Sequence, residues 1–81
     1  MKRILISGAY GQVGQELIRE LSKRVGMEKI VCTDVRPPPE HLGVVHHEHL
    51  NALDKPAIEQ LVKKYDVGEV YCLAALLSAT G

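Results

Sequence analysis

Between Ser7 and Gln15 the chain stops reading as a strand and starts reading as a helix, and Gly8, Gly11 and Gly14 mark the handover. Before them, Arg3-Ile4-Leu5-Ile6-Ser7 is a short, branched apolar run of the kind that lies buried in a sheet. After them, Val13, Leu17, Ile18, Leu21 and Val25 recur at helical spacing, with Gln15, Glu16, Arg19, Glu20, Lys23 and Arg24 on the other side. Glu20 stands three and four residues before Lys23 and Arg24, which suit the negative end of a helix dipole, and Gly26 is a stop signal. A strand that turns into a helix this abruptly restricts the fold to architectures built from strand–turn–helix units.

The rest of the chain repeats that alternation. Lys29 to Thr33 reads as a second strand ending at Asp34. Pro37-Pro38-Pro39 removes successive backbone donors and opens a loop to Gly43 where another helix could have stood. Val44 to His47, extending at most to His49, is a weak third strand. Asp54 is an N-cap candidate with Pro56 in the first turn, and Ile58, Leu61, Val62 and Tyr65 follow at helical spacing, with Glu59 four residues before Lys63. Asp66-Val67-Gly68 reads as a turn, and Glu69 to Ala74 as a fourth strand. Alternating strands and helices imply an α/β fold with a parallel sheet. Right-handed crossovers then predict the order 3-2-1-4, one helix on each face, and a crevice between strands 1 and 4 at their carboxyl ends.

Size and charge remove several classes of function. Eighty-one residues make one small domain at most. Ten basic and ten acidic side chains balance, so there is no clustered positive field for a nucleic-acid or membrane-surface partner. The opening Met1-Lys2-Arg3-Ile4-Leu5-Ile6 is too short in apolar residues for a secretory signal, and no run suffices to cross a bilayer. Two cysteines without metal-type spacing fit a reducing compartment. The expectation is a soluble cytoplasmic protein, or a mitochondrial one had a targeting segment been removed.

The glycines lie at one lip of the crevice, and each has a job there. Gly8 permits the tight turn, Gly11 lets backbone approach a phosphate, and Gly14 lets the helix pack close. The helix start near Gln12 points unpaired amides and positive dipole at an anion. Asp34 falls 20 residues after Gly14, at the end of strand 2, where a carboxylate can accept both hydroxyls of an adenosine ribose. Its charge repels a 2′-phosphate, so NAD is favoured over NADP, with nearby Arg36 as the residue that could accommodate such a phosphate. The pattern predicts a Rossmann-type dinucleotide site.

Ser7-Gly8-Ala9-Tyr10-Gly11-Gln12-Val13-Gly14 resembles the T-G-x-x-G-x-x-G signature of the extended short-chain dehydrogenase/reductase superfamily, which includes NAD-dependent epimerases and dehydratases; Ser7 replaces the usual threonine. Within it, Gly11–Gly14, the run Asp34-Val35-Arg36-Pro37-Pro38 and the segment Ala74-Ala75-Leu76-Leu77-Ser78-Ala79-Thr80-Gly81 resemble the short-chain-type L-threonine 3-dehydrogenases. The resemblance implies an NAD-dependent oxidoreductase converting L-threonine to 2-amino-3-oxobutanoate. It implies that Gly8, Gly11, Gln12, Val13 and Gly14 hold the pyrophosphate and Asp34 the adenosine ribose. Asn51 and Ala52 would stand at the adenine, where the family usually has an aspartate. Leu73, Ala74 and Ala75 would line the nicotinamide-side ribose, Ser78 would lie near the amino-acid substrate, and Cys72 stands where the family often has histidine. The family's Tyr-x-x-x-Lys pair is not in this sequence: Tyr10, Tyr65 and Tyr71 are followed four residues on by Gly14, Glu69 and Ala75. The expectation is the amino-terminal portion of a longer enzyme, inactive by itself and homodimeric at full length. A nucleotide-sugar epimerase or dehydratase portion, or a non-catalytic dinucleotide-sensing domain, are the alternatives.

Other features have plainer readings. His41, His46, His47 and His49 suggest a metal, but in a strand only His47 and His49 share a face, and two ligands close no site, so no metal is expected. Cys32 and Cys72 are expected to be separated by strand 1, too far apart to bridge, and to be small core residues.

Overall fold

The computed structural model describes residues 2–73. Four strands form one parallel sheet: β1 (Arg3–Ser7), β2 (Ile30–Asp34), β3 (His46–His49) and β4 (Val67–Cys72), in the order β3-β2-β1-β4. Helix α1 (Gln12–Val25) links β1 to β2, and α2 (Lys55–Lys64) links β3 to β4. The α/β class and the strand order are as the alternation predicted.

Strand alternation divides the core in two. Ile4 and Ile6 of β1 and Ile30 and Cys32 of β2 belong to a cluster on one face with Ile18, Leu17, Leu21 and Val25 of α1. Leu5 and Val31 lie with Leu61, Val62 and Ile58 of α2 on the other. Each fully buried aliphatic side chain contributes about 1.5–3 kcal/mol relative to an exposed one. Val13 is the exception on the α1 stripe: it lies in the first turn, exposed, rather than on the sheet.

The helix ends follow the expected chemistry. α1 stops at Gly26 (φ 86°), whose amide donates to the Ser22 carbonyl. Asp54 caps α2, its carboxylate accepting from the Ala57 amide at 3.3 Å. Lys23 pairs with Glu20 at 3.2 Å, whereas Glu59 and Lys63 do not pair.

Several boundaries differ from expectation: β2 begins at Ile30, after a 3-10 turn over Met27–Lys29, and β4 closes at Cys72, before Leu73. Val67 is not in a turn: it opens β4 opposite Arg3, and the register then skips so that Ile4 faces Glu69. Gly68 is the residue left over, a strand glycine at an irregularity, beside the Lys2 side chain. The reversal falls on Tyr65 and Asp66, the latter at φ 53°. The proline segment contains one 3-10 turn, Glu40–Leu42, because Leu42 is buried against the α1-side core. β3 runs from His46 instead of Val44, in register with Val31 through Asp34.

Candidate functional site

The carboxyl ends of β1 and β2 meet the glycine turn. Gly8 takes a left-handed φ of 68°, which reverses the chain out of β1. The Ala9 amide then donates to the Thr33 carbonyl at 3.1 Å, and the Tyr10 amide to Oδ2 of Asp34 at 3.0 Å. A Cβ on Gly14 would stand 2.1 Å from the Ala9 carbonyl oxygen, so only glycine lets α1 start this close to the turn. Gly11 differs: it is extended (φ −72°, ψ 174°), and a Cβ there would meet nothing nearer than 3.9 Å.

The first helical bond of α1 runs from the Gln15 amide to the Gly11 carbonyl at 2.9 Å, leaving the Gln12, Val13 and Gly14 amides ahead of the ladder. No side chain caps this terminus. The turn therefore presents bare amides and the positive end of a 14-residue helix, an arrangement suited to an anion.

Asp34 stands beside that turn, 4 % exposed. Oδ1 accepts from the Arg36 amide (3.0 Å) and Nε (3.1 Å), and Oδ2 accepts from the Tyr10 amide and from Arg36 Nη2 (3.1 Å). Burial disfavours its charge, but the Arg36 side chain and the Arg36 and Tyr10 amides outweigh that and hold the carboxyl below the usual carboxylate range. It is a carboxylate at neutral pH.

Residues given no role at this site by sequence reasoning brace the corner. Tyr10 is buried, its hydroxyl 2.7 Å from Nδ1 of His47 and its ring stacked on the imidazole. Burial pushes the phenol well above its ordinary value, so it stays protonated. Gln15 Nε2 donates to the Tyr10 carbonyl at 2.9 Å. An aromatic residue between the first two glycines was the only available signal. His46 packs edge-on against Tyr65, and Glu48 accepts from the Tyr65 hydroxyl (2.6 Å) and Lys64 (3.0 Å), so β3 splits its polar residues between the two faces. Among the described residues no group of three metal-ligating side chains comes together.

The remaining expected residues fall as follows. The Leu50 amide donates to the Asp34 carbonyl at 3.2 Å, which sets Asn51 and Ala52 at the edge of the same corner. Asn51 Oδ1 accepts from the Leu53 amide at 2.9 Å, and Asn51 itself is exposed. Leu73 is buried in the α1-side core with Ala9 and Tyr10. Ala74, Ala75 and Ser78 lie outside the described residues. Both cysteines are free; Cys32 is buried, but Cys72 is exposed at the end of β4 and not the core residue expected.

A parallel sheet ordered β3-β2-β1-β4, with a glycine turn and an acidic β2 terminus at its switch point, defines a Rossmann-like α/β protein of the short-chain dehydrogenase/reductase type. More narrowly, residues 4–81 match the NAD-dependent epimerase/dehydratase family, and the chain belongs to it. An uncharacterised epimerase/dehydratase of Staphylococcus epidermidis is 38% identical over 99% of this chain and 26% of its own length, and one from Staphylococcus saprophyticus is 37% identical over the same shares. Among solved structures, a partial-consensus L-threonine 3-dehydrogenase superposes with a TM-score of 0.76 at 38% identity, covering 85% of this chain and 22% of the other. A GalE-like L-threonine dehydrogenase from Cupriavidus necator, in its holo form, gives 0.75 at 38% identity with the same coverage. The chain spans about a quarter of the length of the curated relatives it matches.

Proposed function

We propose that the chain is the NAD-binding amino-terminal portion of an oxidoreductase that oxidises the 3-hydroxyl of L-threonine to 2-amino-3-oxobutanoate. The observation that carries the nucleotide reading is the uncapped start of α1 beside a charged Asp34. The residues fit such a cofactor: the open side of Gly11 leaves space for a pyrophosphate to approach the main chain, and Gly8 shapes the turn that faces it. Gln12, Val13 and Gly14 would supply amides, Asp34 would take the adenosine ribose, and Asn51 with Ala52 would border the adenine. Leu73, Ala74 and Ala75 would lie toward the nicotinamide ribose, and Ser78 toward the amino acid. When bound, the nicotinamide accepts hydride from the alcohol. Resemblance to solved L-threonine dehydrogenases supports the substrate.

This sequence holds no Tyr-x-x-x-Lys pair, so the chain alone is expected to turn over nothing, and a full-length protein to act as a cytoplasmic homodimer. Isothermal titration of the purified chain with NAD⁺ tests the first half: saturable binding is expected, and its absence from folded protein sinks the reading. A longer form carrying that pair should make NADH in a threonine-dependent manner. The epimerase/dehydratase family match supports a second reading, an epimerase or dehydratase whose substrate we infer to be a nucleotide sugar, and conversion of a nucleotide sugar without threonine oxidation would select it.

A further inference from the structure

Between Gly8 and Gly11 the turn carries two side chains, and only that of Tyr10 forms a hydrogen bond. Tyr10 is tied at every polar group. Its amide donates to Asp34, its carbonyl accepts from Gln15 in the first turn of α1, and its hydroxyl meets Nδ1 of His47 on β3. The buried phenol keeps its proton and has no other partner among the described residues, so its O–H donates and Nδ1 accepts, which leaves the imidazole proton on Nε2. One residue thus joins the carboxylate that ends β2, the start of α1 and the edge strand β3.

The turn needs such a tie. Glycines on both sides leave its backbone free to take other shapes. No side chain caps α1, so its bare amides have to be held in place from outside the helix. His47 pairs with Cys32, two residues short of the level of Asp34, and supplies none of the groups expected to touch a dinucleotide. We propose that His47 is a positioning residue for the cofactor: by accepting the Tyr10 hydroxyl it locks the glycine turn in the shape that offers its amides, so that dinucleotide affinity is set in part from β3. Without that bond the turn spends part of its time in other shapes, and the apparent affinity falls with the competent fraction. The inference rests on the nucleotide reading above and adds a residue that controls that site from a neighbouring strand.

Titration calorimetry with NAD⁺ tests it on the chain, Tyr10→Phe, His47→Leu, the double variant and His47→Asn, with circular dichroism confirming the fold of each. Tyr10→Phe and His47→Leu remove the same bond, so each should bind NAD⁺ roughly 3–5-fold more weakly, and the double variant no more weakly than the worse single. His47→Asn returns an acceptor oxygen at the Nδ1 position and should recover to within about 2-fold of the parent, a rescue that a purely structural role would not produce in folded protein. Should a substitution at position 47 fail to fold, Tyr10→Phe decides by itself, through its affinity and through faster hydrogen exchange at the Ala9 and Tyr10 amides. Tyr10→Phe that binds NAD⁺ as tightly as the parent overturns the role of His47, and so do losses that multiply in the double variant; either result leaves the nucleotide reading standing. Folded parent protein that binds no NAD⁺ overturns both.

Discussion

β2 and β4 flank the same strand, and their surroundings differ sharply. Every residue of β2 is buried, whereas in β4 only Val67 is. β2 lies between β1 and β3 and under both helices; β4 pairs only with β1 among the described residues. The contrast explains where chemistry can be built. At the end of β2 a carboxylate can be buried, because the glycine turn and Arg36, two residues on, supply the donors that keep it charged. At the end of β4 the equivalent place is held by an exposed Cys72 that no described group orients. Precise placement of a functional side chain follows from how completely its strand is surrounded.

The comparison can be broken most directly at the turn that joins its buried side together. Gly14→Val drives a side chain into the Ala9 backbone, which has no room to yield, and should cost on the order of 3 kcal/mol, a large share of the stability of a domain this size. A thermal melt within a few degrees of the parent would show that the turn is not the rigid element described. Next, Val31→Ala empties a fully buried position in β2 and should cost about 2 kcal/mol, while Val70→Ala, 41 % exposed in β4, should cost about 0.5 kcal/mol or less. Equal costs in urea unfolding would erase the distinction between the strands.

The subtlest readout, a pH slope, concerns the charge that ends β2. The folded state holds the Asp34 carboxyl below its ordinary value, so it binds protons less readily than the unfolded chain. Its contribution, on the order of 1 kcal/mol, is therefore fully present above about pH 4 and lost as the pH falls through the lowered value. Glu48, lowered by the Tyr65 hydroxyl and Lys64, acts in the same direction. Melting temperatures from pH 6 to pH 2 should fall less steeply in Asp34→Asn than in the parent; identical slopes would show that the carboxylate is not held as described.

Much of this architecture was legible because it depends on local pattern. The limits of β1, the extent of α1 and its stop at Gly26, the Asp54 cap and the strand order all follow from periodicity, turn chemistry and crossover handedness. What was not legible depends on pairings between distant residues. Nothing in the spacing of Tyr10 and His47 indicates that β3 brings them within hydrogen-bond distance. Gly68 looked like part of a turn because a strand irregularity and a turn use the same residue, and only the partner register separates them. The glycines and Asp34 could be read as components of one corner, but not the grip of Arg36 on that carboxylate, since two residues of separation permit the contact without requiring it.

The two thiols give the sheet an internal gauge. Cys32 is enclosed, and burial pushes it up to about 12, so it resists alkylation at neutral pH; Cys72 lies open to reagents. A maleimide added to the intact molecule is thus restricted to one sulfur, and labelling of the second reports how often β2 is uncovered, strand by strand and without any ligand.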